Sequence, residues 1–160
     1  MRRTWMVAGV AVLFAGASAS GLAAEATYTK DIKPLWEAKC AGCHGAASPY
    51  LAEFDKDPKK FAAAMKGPRM DTYADMIFYI GWPDTGAIMR RLDDGKDALA
   101  GGKPGNMYQF LGGTDEERQK NLQTFKDWVG PEGWALNRFK ARGKVPGISK
   151  EQLEKMLVKY

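Results

Sequence analysis

The only two cysteines and the only histidine of this 160-residue chain fall within five consecutive residues, Cys40-Ala41-Gly42-Cys43-His44. Thiols add to activated double bonds, and an imidazole nitrogen ligates transition metals. Two thiols separated by two residues span the vinyl-bearing edge of a porphyrin. A histidine directly after the second thiol then lies beneath the ring, within reach of iron. C-x-x-C-H is accordingly a haem-attachment pattern. Three other chemistries use parts of this set. A redox dithiol of the C-x-x-C kind belongs to a βαβ context, which does not surround these residues. Structural zinc takes four Cys or His ligands, and the chain offers three. A Cys40–Cys43 disulfide closes only a trivial loop. The residues favour covalent haem c, and a Ser-His-Asp site is ruled out if His44 is committed to iron.

These side chains need helices to position them, and the flanking sequence supplies helical patterns. Asp31 is the expected N-cap of a helix running from Ile32 to Lys39. Pro34 falls in its first turn, where amides lack intrahelical partners, and Ile32, Leu35 and Trp36 form its apolar face. Asp57-Pro58 opens a second helix through Phe61, Ala62 and Met65, ended by Gly67-Pro68. Asp71 or Thr72 opens a third, carrying Tyr73, Met76, Ile77 and Ile80 and stopped by Gly81-Trp82-Pro83. Ala87-Ile88-Met89 reads as a short apolar turn, and 93–106 as a long loop. Thr114 and Glu117 have capping-box spacing ahead of Leu122, Phe125, Trp128 and Val129, and Gly130-Pro131 ends that helix. The tail carries Trp134, Leu136 and Phe139, then Ile148, Leu153, Met156 and Leu157, with Ser149 able to cap a last helix. Val and Ile are sparse and do not alternate, so no strand is expected.

Residues 1–24 read as a secretory signal peptide. Arg2-Arg3 is a short basic region, Trp5 to Ala17 is apolar but short for a spanning helix, and small residues follow, with cleavage expected between Ala23 and Ala26. No stable membrane insertion is expected once the leader is removed. The formal charge is +5, and losing Arg2 and Arg3 leaves about +3, too mild a balance to indicate nucleic acid. Asp93-Asp94-Gly95-Lys96-Asp97 lacks the ligand order of a calcium loop. Gly101-Gly102-Lys103 lacks the second glycine and the Ser/Thr of a P-loop.

Three pieces together resemble class I monohaem cytochromes c. They are the amphipathic helix running into Cys40-Ala41-Gly42-Cys43-His44-Gly45, the loop Gly105-Asn106-Met107-Tyr108-Gln109-Phe110-Leu111, and the capped helix from Thr114 to Val129. The match covers about 25–45 and 104–130. The resemblance implies an all-α, cytochrome c-like helical fold around one covalent haem c. It divides the chain into a leader at 1–24, a cytochrome c domain at 25–130 with a long insertion at 46–103, and a helical extension at 131–160 packed on the domain or docking from it. It also implies a contact of Trp36 with Trp128 between first and last helices. Haem attachment outside the bacterial cytoplasm, hence a periplasmic or otherwise exported protein, is a further implication.

Cys40 and Cys43 would then bond the haem, with His44 as the fifth iron ligand. Without a second histidine, the sixth ligand within this chain is Met or nothing. Met107 is the choice, because it resembles the family's ligand Met in a Gly- and Pro-rich loop before the last capped helix. Tyr108 departs from the proline that often follows that Met. Met89 and Met70, also near turns, remain alternatives, and Met65 and Met76 read as core filler. Trp82, Tyr73, Tyr79, Tyr108 and Phe110 are candidates for the haem wall, although ordinary core is the simpler reading. Trp82 and Tyr108 are also candidates for hydrogen bonds to propionates. Lys33, Lys39, Lys56, Lys59, Lys60 and Lys66 could steer an acidic partner, although a solvated helix surface is the simpler reading. The resulting expectation is a single-electron carrier, not an enzyme, working between redox protein partners such as a membrane-linked donor and a terminal enzyme. Two alternatives stay open: a gas- or peroxide-binding protein with an open or labile sixth site, and a haem subunit of a larger oxidoreductase.

Overall fold

Helix formation begins at Thr27, one turn before Asp31. In the computed structural model, which describes residues 25–96, 102–134 and 147–160, the Thr27 hydroxyl accepts from the Lys30 amide, and the Asp31 carboxylate accepts from the Thr27 amide at 2.8 Å. Asp31 is therefore not the N-cap. It closes the reciprocal half of the cap from four residues on, a spacing that the wide π-helical turn Tyr28–Ile32 accommodates. The chain runs on into α1 (Lys33–Lys39), with Pro34 in its first turn, and after Cys40 into the single turn α2 (Ala41–His44).

Beyond the motif, α3 (Leu51–Phe54) is a turn that the apolar pattern did not reveal. α4 (Pro58–Ala63) is capped by Asp57 and ends short of Met65. Met65 takes a left-handed φ of 54° and is 71% exposed, so it is no core filler. Thr72 and Asp75 make a full capping box on α5 (Tyr73–Ile80). The apolar turn at 87–89 extends into a helix, α6 (Ala87–Leu92). A 3-10 turn, Tyr108–Leu111, then leads to α7 (Asp115–Val129), followed by α8 (Pro131–Trp134) and α9 (Lys150–Leu153). Thr114 caps α7 by accepting from the Glu117 amide. The reciprocal bond shifts by one residue, because the Glu117 carboxylate accepts from Gly113, not from Thr114. Glu117 also pairs with Lys39 at 2.5 Å, tying α7 to the end of α1.

The core lies where α7 meets the π-helical turn and where α5 and α6 meet each other. Ile32, Trp36, Met76, Ile80, Met89, Leu122, Phe125, Trp128 and Val129 are buried there. Trp36 and Trp128 thus join the same core, where the Tyr28 ring lies tilted against Trp128 at 6.1 Å. The last residues complete this packing. The amides of Leu157 and Val158 donate to Val129 and Trp128, while the Tyr28 amide and Trp128 Nε1 both donate to the Lys159 carbonyl. Ser149 and Gln152 form a capping box on α9, which lasts one turn, and Met156 is buried. The leader, Leu136 and Phe139 lie outside the described residues. Among the described residues there is no strand, and no helix is long and apolar enough to cross a membrane.

Candidate functional site

Two successive helical turns present the thiols and the imidazole. The Cys40 amide donates to the Trp36 carbonyl at 2.7 Å. The amides of Cys43 and His44 both donate to the Cys40 carbonyl, at 3.1 and 2.9 Å. Cys40 and Cys43 are half-buried free thiols, with no disulfide between them. Burial, and then the neighbouring Cys43, pushes the Cys40 thiol up to about 11.

The imidazole is held from behind. His44 Nδ1 lies 2.7 Å from the Pro68 carbonyl oxygen. That oxygen can only accept, so Nδ1 carries the proton and Nε2 keeps a free lone pair, the arrangement a metal-ligating histidine needs. Burial lowers the pKa of His44 against the bond to Pro68, and the Arg91 charge lowers it further, which favours the neutral ring. The strip from Lys66 to Met70 wraps this side of the motif. The Gly67 amide donates to Cys43 at 2.8 Å, the Met70 amide to His44 at 3.0 Å, and Lys66 Nζ to Gly42 at 3.2 Å. Ser48, which is buried, donates its hydroxyl to the Cys43 carbonyl at 2.8 Å. Gly67 has no room for a side chain, since a Cβ there would collide with the His44 ring. Sequence reasoning read Gly67-Pro68 only as a helix stop. The dipeptide is indeed a turn signal, but nothing local to it reveals a partner 24 residues earlier.

The methionine candidates separate by environment. Met89 and Met76 are 0% and 1% exposed inside the helical core. Met70 belongs to the strip behind His44. Met107 is half-buried at the start of the 3-10 turn and packs against the core. Its amide donates to the Arg91 carbonyl at 2.9 Å, and the Gly105 amide donates to the Asp93 carbonyl at 2.8 Å. Here too glycine is required, because a Cβ on Gly105 would strike the carbonyls of Arg90 and Arg91. Arg91 completes the clamp by donating from its guanidinium to Asn106 Oδ1 at 2.8 Å.

Several aromatic expectations are revised. Tyr108 donates its hydroxyl to Asp115 and accepts from Gln119, so it is committed away from any propionate. Trp82 and Phe110 are 69% and 54% exposed on the polypeptide, so neither belongs to its core. Tyr73 belongs to a ring cluster with Tyr28, Trp128 and Tyr160.

The residues present fit a covalently held haem. Two free thiols and a lone pair on His44 Nε2 share one short segment. One helical turn before Cys40, Trp36 Nε1 is buried without a hydrogen-bond partner, the only such side-chain atom among the described residues. Unpartnered buried donors are costly, so this atom points to a group that the polypeptide does not itself provide.

Comparison with known proteins agrees. A family model described as PccH cytochrome c matches residues 27–160. The solved structure of the monohaem cytochrome PccH from Geobacter sulfurreducens is 51% identical, covers 85% of this chain and 99% of its own, and superposes with a TM-score of 0.71. Among curated proteins, none matches. Family match, helical architecture and the Cys40-to-His44 motif converge, and the chain belongs to the PccH cytochrome c family of electron carriers, with one covalently bound haem c.

Proposed function

We propose that this protein is an exported one-electron carrier in which Cys40 and Cys43 bond the haem and His44 and Met107 ligate its iron. When bound, the haem supplies a reversible one-electron couple. The chain's part is to hold two unlike donors in fixed positions. His44 is oriented by the Pro68 carbonyl, which accepts from Nδ1 and so makes Nε2 the better donor. Met107 contributes a soft thioether, which favours the ferrous state and raises the potential. Fixed ligands change little between oxidation states, which keeps transfer fast.

One observation carries the choice of methionine. The Met70 amide is bonded to the carbonyl of His44 itself, beside the strip that backs the imidazole. Met107 is held apart from that strip, its amide donating to the Arg91 carbonyl near the end of α6, and this favours it as the second donor. Met89 would have to leave a fully packed core position. The leader reading of 1–24 supports export, and protein redox partners follow from the family role.

The test is spectroscopic. Oxidised wild-type protein should show the far-red methionine–iron charge-transfer band, and ferrous protein should bind carbon monoxide poorly. Met107→Ala should abolish the band and admit carbon monoxide. A band that survives this substitution moves the ligand to Met89 or Met70. Ready carbon monoxide binding by the wild type supports a gas- or peroxide-binding role instead.

A further inference from the structure

Gln119, on the second turn of α7, connects three segments. Its amide has two N–H bonds. One donates to Asp94 Oδ2 at 2.9 Å, and the other to the Tyr108 hydroxyl oxygen at 2.7 Å. The carboxylate fixes this orientation, because an ionised Asp94 can only accept. Burial tends to raise the Asp94 pKa, but the Gln119 bond, the Lys96 amide and the charges of Lys126 and Lys96 outweigh it and hold the carboxyl below its ordinary range. The Tyr108 hydroxyl, having accepted from Gln119, donates onward to Asp115 Oδ1 at 3.1 Å. Every proton in the chain Asp94–Gln119–Tyr108–Asp115 therefore has one direction. Bonds ending on carboxylates are the stronger kind. The Arg118 guanidinium lies over the Tyr108 ring, 5.8 Å from its centre, and 3.6 Å from Asp115.

Tyr108 directly follows Met107, and Asp94 directly follows the residue whose carbonyl holds Gly105. Gln119 thus ties Tyr108, beside Met107, and Asp94, beside the residue that holds Gly105, to one long helix. We propose that Gln119 is a positioning residue for the sixth iron ligand, acting through Tyr108 to keep Met107 on the metal. The proposal rests on Met107 being that ligand. Methionine is a weak donor, so the fraction of molecules in which it has let go depends on how firmly its loop is held.

An exogenous ligand reads that fraction directly. Imidazole added to oxidised protein can take the sixth position only when Met107 has left, so its apparent affinity scales with the open population. The experiment titrates imidazole into the oxidised holoprotein at neutral pH and follows the shift of the Soret band, with the far-red band reporting methionine ligation. Gln119→Leu removes both donors at similar volume and should raise the apparent affinity about tenfold. Tyr108→Phe, a milder change, should raise it by a smaller factor. Tyr73→Phe removes an equivalent hydroxyl, the donor to the Val158 carbonyl, far from the loop in sequence. It should leave the affinity unchanged even where the melting temperature falls. Met107→Ala provides the fully open limit. Gln119→Leu within about twofold of wild type, beside an opened Met107→Ala, overturns the positioning role and leaves the ligand assignment standing. Equal effects of Gln119→Leu and Tyr73→Phe overturn it as well, since general loosening then explains both. If Met107→Ala keeps the band and the wild-type affinity, ligand assignment and positioning role fall together.

Discussion

At the residue scale, His44, the proposed fifth ligand, depends for its place on a glycine as much as on its own bond. Gly67 touches the His44 ring, and its neighbour Pro68 accepts from Nδ1. Gly67→Ala should therefore push the imidazole away from that carbonyl. Overpacking of this kind costs about 1–3 kcal/mol. Weakening the Pro68 bond also makes Nε2 a poorer donor, which stabilises ferric iron less. The expected outcome is a lower melting temperature together with a higher reduction potential, measured by thermal unfolding and potentiometric titration of the holoprotein. An unchanged potential would show that the collision is absorbed elsewhere. Cys40, Cys43 and His44 were legible as a triplet because covalent attachment demands a fixed local spacing. Gly67 and Pro68 were not, because only folding brings them to His44.

At the element scale, caps proved more readable than helix ends. Thr72, Thr114, Asp57 and Ser149 all cap where the residue types suggest, since a cap is a bond between near neighbours. The exceptions have physical reasons. Asp31 serves a π-wide turn from inside it, and Glu117 is drawn to Gly113 and Lys39. The Lys39 bond, then the Gly113 amide, hold the Glu117 carboxyl below its ordinary range. A carboxylate whose pKa is depressed on folding stabilises the fold above its unfolded pKa and loses that contribution as the pH falls through its folded pKa. The α1–α7 clamp should accordingly weaken on acidification below the ordinary glutamate range. Glu117→Gln should flatten this part of the melting-temperature profile, and matching profiles for wild type and variant between neutral and acid pH would count against the clamp.

At the scale of the whole molecule, the two ends of the described chain are packed into one another. Lys159 pairs with Glu25 and gives its carbonyl to both the Tyr28 amide and Trp128 Nε1, while the Val158 carbonyl accepts from the Tyr73 hydroxyl. Tyr160 adds a fourth ring to Tyr28, Tyr73 and Trp128. Deleting residues 155–160 strands three donors, each costing about 1–3 kcal/mol where water cannot replace the lost partner. The truncated holoprotein should lose at least about 3 kcal/mol in denaturant unfolding. A loss under about 1 kcal/mol would mean that the tail is only draped over the core.

The sequence by itself determined the chemistry at the attachment segment, the all-helical class and most of the caps, because each depends on residues within a few positions of one another. The tertiary structure alone decided what stands behind His44, what restrains the loop of Met107, and that Tyr108 turns towards Gln119 and Asp115. Most of those contacts join residues 11 to 25 positions apart. No spacing rule reaches so far, and only the packing of α7, the strip behind the motif and the tail into one core brings them within bonding distance.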